Sequence, residues 1–145
     1  MEFVEKALPG LELSQRTAVV ADNGEIGAAI GPMFQELVAA QLAAGEKPAH
    51  PGYAWYVARG DRLEFGAGFA RAIRGEQSGQ LAAVERALTT TYVGPMSGIG
   101  AAWAELGSQV ARRGLEPYGP CREVYLNTDG PQELWVTELQ QPVRG

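Results

Sequence analysis

The chain has 145 residues, 46% of them hydrophobic, and a formal net charge of −5. That suits a single domain, residues 1–145, with an ordinary core, whereas a half-chain of about 70 residues would be marginal alone. The negative balance, with no Lys/Arg cluster beyond Arg112-Arg113, excludes a phosphate-binding surface and direct nucleic-acid contact.

In chain order, Met1-Glu2-Phe3-Val4-Glu5 lacks the basic and apolar regions of a signal peptide. Leu11 to Ala21, with β-branched residues and partial alternation, predicts a strand. Asp22, with Glu25 three positions on, has the spacing of a capping box. Ile30, Phe34, Leu37 and Val38 then recur at helical spacing until Gly45. Pro32 leaves two possibilities: the helix begins there, or a short first turn is kinked against a longer second part. Tyr53 to Ala58 and Leu63 to Ala70 predict two strands around a Gly60-Asp61 turn. Residues 71–80, with Gly75, Ser78 and Gly79, read as a polar connector.

The same order then returns. Ala83 to Val93 predicts a strand broken by Gly94-Pro95. A helix from Gly98 to Arg113 carries Ile99, Trp103, Leu106 and Val110 on one stripe and stops at Gly114. Arg122 to Asn127 and Leu134 to Val143 predict two strands around a turn at Thr128 to Pro131. No apolar stretch runs unbroken for the length of a membrane span, so no membrane association is expected and the cytoplasm is the expected address.

The recurrence extends to identity. A shift of 69 positions places Ile30, Gly31, Glu36, Leu37, Gly45, Pro48, Pro51 and Tyr56 on Ile99, Gly100, Glu105, Leu106, Gly114, Pro117, Pro120 and Tyr125, and Phe34 on Trp103. At average residue frequencies roughly one position in fifteen would match by chance. The pattern is an internal repeat, about 11–70 and 83–143. Strand–helix–strand–strand, twice, predicts an α+β fold: duplicated β-α-β-β units forming an antiparallel sheet with helices laid on it. Two such copies pair about a pseudo-two-fold axis, and their seam is a natural cleft.

Function is sought where the copies differ in that seam. The sharpest difference is Glu123, which stands where the first copy has Ala54. Strand alternation puts Cys121, Glu123, Tyr125 and Asn127 on one face, with Tyr56 related to Tyr125 by the repeat. Two readings stay open. One is a carboxylate among aromatic rings, a site for a lipophilic cation or a polar aromatic, where desolvation favours a positive ligand and the rings add cation–π attraction. The other is a Glu at the sheet margin, solvated or paired with Arg122. Phe34 and Trp103 are candidate wall residues or plain core; Tyr92, Met96 and Trp135, near strand ends, are candidate rim residues or ordinary packing.

Catalytic and metal signals are thin. His50 is the sole histidine and Cys121 the sole cysteine, which argues against a His-based triad, an internal disulfide or a zinc cluster. The glycines match neither a phosphate loop nor a dinucleotide fingerprint, so no cofactor or metal is expected.

The segments Thr91-Tyr92-Val93-Gly94-Pro95-Met96, Trp103, Arg113-Gly114-Leu115-Glu116-Pro117, Pro120 to Leu126, and Thr137 to Val143 together resemble the GyrI-like small-molecule-binding family, the effector-binding module of AraC-type and MerR-type multidrug regulators. The resemblance implies a curved sheet with both helices over one face and a ligand groove between them. It implies that Glu123 contacts cationic or polar aromatic ligands from the groove floor, with Tyr125 and Tyr92 at matching aromatic positions. Two positions depart from the family pattern: Met96 replaces a Tyr, and Arg122 replaces an aromatic that often precedes the glutamate. An inward-turned Arg122 would neutralise Glu123. The chain reads as a free-standing member whose partner is an aromatic small molecule; a protein partner and a homodimer are left open. The alternative is a hydrolase of strained electrophilic natural products, with Glu123 as general base and Trp103 and Tyr125 shaping the site. A third reading, inhibition of a protein by an acidic surface, is weakened by the modest charge.

Overall fold

The computed structural model describes residues 1–145. In chain order the elements are β1 (Phe3–Leu8), β2 (Leu11–Val20), α1 (Asn23–Ala43), β3 (Gly52–Arg59), β4 (Arg62–Phe69), β5 (Gln77–Leu81), β6 (Val84–Val93), α2 (Ile99–Arg112), β7 (Glu116–Pro117), β8 (Cys121–Asn127) and β9 (Val136–Arg144). The strands form one antiparallel sheet in the order β1-β6-β9-β8-β3-β4-β2-β5, with β7 added to β9. The units β2-α1-β3-β4 and β6-α2-β8-β9 are the expected duplication, and β3 against β8 is the central seam.

Local chemistry explains the helices. Asp22 caps α1 by accepting from the Glu25 amide at 3.3 Å, and the Glu25 carboxylate accepts from the Ala21 amide at 2.7 Å. α1 runs as one helix from this cap through Pro32, which lies on its exposed side. Gly45 and Gly114, equivalent in the repeat, follow the two helices with φ of 76° and 68°, the left-handed conformation that ends a helix. α2 buries Ala102, Leu106 and Val110 against Leu88, Leu139 and Val143, with Trp103 at the margin. α1 buries Leu37 against Phe69 and Ile73, with Phe34 and Val38 beside it. Each helix therefore sits on the outer strands of its own unit, and the β3–β8 seam lies under the gap between them.

Two expectations change. β5 starts inside what reads as a connector and ends one residue beyond it, and β1 occupies the N-terminal segment to which no element was assigned. Both are edge strands, short and rich in charged or polar residues, so they lack the alternation that marks a half-buried strand. α1 is long and apolar enough, by length and composition, to cross a membrane. Here it lies along β2 and β4, with Ile26 and Leu37 buried, Phe34 and Val38 half-buried, and small residues such as Gly27, Ala28, Gly31 and Ala39 facing outward.

Connectivity forces the sheet to curl. β1 pairs β6 near one edge, yet only Pro9-Gly10 joins it to β2 near the other; only Ala82-Ala83 joins β5 to β6. Two linking residues reach roughly 10 Å, so both edges must come together at this end. The two links nearly touch: a Cβ on Gly10 would lie 3.4 Å from the Ala83 nitrogen. Arg122 fastens this crossing. Its guanidinium donates to the Pro9 carbonyl at 2.7 Å and the Ala82 carbonyl at 2.5 Å, and the residue is 1% exposed. Burial lowers its pKa, with no carboxylate close by to offset the cost. Arg122→Ala should therefore lose about 3 kcal/mol, through two orphaned carbonyls and a large cavity. Urea unfolding checks this; an unchanged midpoint would show that the links hold without the clasp.

Candidate functional site

The seam is built around one register position. β3 and β8 pair Gly52 with Tyr125, Ala54 with Glu123, and Tyr56 with Cys121. Ala54 and Glu123 are also the residues equated by the 69-residue repeat, so the pseudo-two-fold axis passes between them. Directly opposed Cβ atoms on antiparallel strands lie about 5 Å apart, and like charges there repel. Two glutamates at the axis would meet each other, so only one copy can supply the acid.

Glu123 faces the helices and is 5% exposed. One carboxylate oxygen, Oε1, accepts from the Tyr56 hydroxyl at 2.8 Å and from the Tyr125 hydroxyl at 2.6 Å. The other, Oε2, accepts from the Trp103 indole N–H at 2.7 Å. The two tyrosines are repeat equivalents placed on either side of the axis, which is why they converge on one oxygen. None of the six ion pairs includes Glu123. The open question about Arg122 is thereby answered: it turns to the opposite face of β8, and the Glu is neither solvated nor ion-paired.

Aromatic rings close the surroundings. Phe34, the repeat counterpart of Trp103, meets Tyr125 edge-on at 5.5 Å and Phe69 at 5.7 Å. Gly52 makes room for it, since a Cβ there would come within 3.1 Å of the Phe34 ring. Tyr56 stacks on Phe65 at 6.4 Å. Phe65 and Phe69 were not named as site residues from sequence, although the alternation Phe65-Ala67-Phe69 on a strand beside Tyr56 was available as a signal.

The expected site residues thus divide. Glu123, Tyr125, Tyr56 and Trp103 form one hydrogen-bonded cluster, and Phe34 packs on it. Tyr92 lies in the same row of the sheet as Tyr125, with the buried Thr137 between them, but its hydroxyl donates to the Pro95 carbonyl at 2.7 Å. Met96 is held through its amide by the Gln132 side chain at 3.2 Å, and the Trp135 indole donates to the Gly130 carbonyl at 3.1 Å. These three order the loops at the ends of β6 and β9 and make no hydrogen bond to the cluster. Three surface depressions lie away from it: along β1 and β6 near Lys6 and Glu138, at the crossing links, and beside Ile73.

No protein-family model matches the chain, and no curated protein is similar to it in sequence. Solved structures are similar in fold. The C-terminal domain of EcmrR superposes with a TM-score of 0.73 at 20% identity, over 99% of this chain and 97% of that one. The chain spans 57% of EcmrR as it stands in a complex with DNA. SAV2435 bound to tetraphenylphosphonium gives 0.74 at 15% identity, over 100% and 95%. A hydrolase from Listeria innocua gives 0.61 at 12%, over 99% and 92%. The fold is the GyrI-like one. Duplicated units, a curved antiparallel sheet, two helices on one face and the gap between them all agree with what the sequence resemblance implies.

The electrostatics of the cluster are one-sided. Burial first, and then the negative charge of Glu123, push the Tyr56 and Tyr125 hydroxyls well above the ordinary tyrosine range. The same two causes push the Cys121 thiol up to about 12. All three stay protonated through neutral and mildly alkaline pH, so the hydroxyls remain donors and the thiol is a poor nucleophile. In an ultraviolet titration of the folded protein, two of the five tyrosines should resist ionisation as pH rises through about 10. The unfolded chain gives up these protons first, so stability should decline from that pH upward. Five tyrosines titrating together before unfolding would contradict this geometry.

Proposed function

We propose that the chain binds lipophilic aromatic or cationic small molecules between its two helices, with Glu123 as the acidic anchor, and so sequesters or senses them. One observation carries the reading: a carboxylate 5% exposed, held by three neutral donors and by no cation. Buried charges are ordinarily paired. A ligand cation would complete this one, and a well-placed ring adds about 0.5–2 kcal/mol of cation–π attraction. The net charge of −5 favours approach of cations. The structurally similar SAV2435 binds a lipophilic cation, tetraphenylphosphonium, and the EcmrR domain belongs to a DNA-bound regulator, which supports a sensing role for modules of this shape.

A hydrolase of similar fold keeps catalysis as the second reading. A general base needs a lone pair aimed at a water, and here Tyr56, Tyr125 and Trp103 already occupy most of the acceptor positions of Glu123. The geometry therefore favours an anchor over a base. Glu123→Gln should weaken tetraphenylphosphonium by about 1.5 kcal/mol or more, roughly tenfold, read by tryptophan quenching with the fold checked by circular dichroism. Unchanged affinity would remove Glu123 from the site. Multiple turnover of a strained electrophile, lost in the same variant, would replace binding by catalysis.

A further inference from the structure

The cluster contains an asymmetry with consequences for ligand choice. A carboxylate presents about four acceptor directions. Tyr56 and Tyr125 take two at Oε1, and Trp103 takes one at Oε2. The tyrosines stand on the two central strands of the sheet, whereas Trp103 reaches in from α2. Its repeat counterpart on α1, Phe34, packs edge-on against Tyr125 and Phe69 and carries no donor. Phe34 and Tyr125 are the half-buried rings beside the carboxylate, while Phe65 and Phe69 pack behind them in the core.

We propose that Trp103 is a specificity-determining residue: by occupying Oε2 it makes the site select onium cations without N–H donors over protonated amines. The proposal rests on Glu123 being the anchor. A quaternary or charge-delocalised cation is weakly hydrated and needs only the field of the carboxylate and the faces of the rings. A primary ammonium carries three N–H donors and a tight hydration shell. It would enter a desolvated space where the one strong acceptor is largely spoken for, and unpaired donors there oppose binding. Selectivity then arises from what the protein withholds as much as from what it offers. Replacing Trp103 by the residue that the other copy already uses, Phe, keeps a ring on the wall and returns an acceptor position to the ligand.

The test uses two probes with the same hydrocarbon body, methyltriphenylphosphonium and 2,2,2-triphenylethylammonium, titrated calorimetrically at pH 7 into the wild type, Trp103→Phe and Glu123→Gln. Differences in body cancel when the ratio of the two affinities is compared between proteins. The wild type should prefer the phosphonium at least tenfold. Trp103→Phe should shrink that preference about tenfold, chiefly by gaining on the ammonium, and Glu123→Gln should weaken both probes. If Trp103→Phe does not fold, Trp103→Leu, which also lacks the donor, must shrink the ratio in the same way. A ratio unchanged or widened by loss of the indole, with Glu123→Gln still weakening both, overturns the role of Trp103 and leaves the anchor standing. Indifference of both probes to Glu123→Gln overturns the anchor itself, and this inference with it.

Discussion

When two copies of a unit pair about a two-fold axis through antiparallel strands, one register position meets its own equivalent. In this chain that position holds Ala54 and Glu123. A symmetric pair of acids would set two carboxylates against each other at the spacing of directly opposed side chains, in a place shielded from water. Divergence at that single position gives one acid and one methyl group. The residues flanking the axis need not diverge, and Tyr56 and Tyr125 do not: equally placed on the two strands, both reach the same oxygen. Duplication thus supplies matched donors, and its breaking supplies the one acceptor they share. The walls break symmetry in turn, with an indole donor on one side and a phenyl ring on the other.

Strand alternation explains why this acid has no basic partner. Arg122 precedes Glu123 on β8, and strand alternation sends the two side chains to opposite faces. On its own face Arg122 meets the carbonyls of two links that cross because each spans only two residues. The guanidinium is consumed by backbone dipoles at that crossing. Had the links been longer, the edges could stand apart and Arg122 would lose its partners. Alternation therefore keeps Arg122 away from Glu123 and leaves the acid to neutral donors, while the short links that draw the sheet into a curve give the guanidinium partners on its own face.

Much of this was legible in sequence, for identifiable reasons. The helix stripes of Phe34-Leu37-Val38 and of Ile99-Trp103-Leu106-Val110 are strong periodic signals, and the duplicated order placed the four strands nearest the seam within a residue or two at most bounds. Alternation on β8 correctly put Glu123 and Tyr125 on one face. The edge strands were not legible, because Gln77–Leu81 is polar on both sides and Phe3–Leu8 carries charges where it meets solvent. Continuity of α1 through Pro32 could not be read either, since it depends on the residue facing outward. The register of β3 against β8 is a long-range fact, and with it went the insight that the repeat axis falls on Ala54 and Glu123. The indole bond from Trp103 was likewise out of reach: spacing places Trp103 on the inner stripe of α2 but says nothing of where its N–H points.

Anchoring and proton transfer make different demands on a buried carboxylate. A base must keep a lone pair free and directed at the proton it removes. An anchor acts through its field, which three donated hydrogen bonds redirect but do not abolish, and which burial strengthens. Around Glu123 the donors are neutral and, for the two tyrosines, held in the protonated form by burial and by the acid itself. Each reinforces the other: the hydroxyls stay donors because the acid is close, and the acid keeps its charge compensated because the hydroxyls stay donors. Three donors leave little of the hydrogen-bonding capacity of the cluster unspent. Its remaining capacity is attraction for a positive, weakly hydrated body lying against rings, and that is the property on which the proposed function depends.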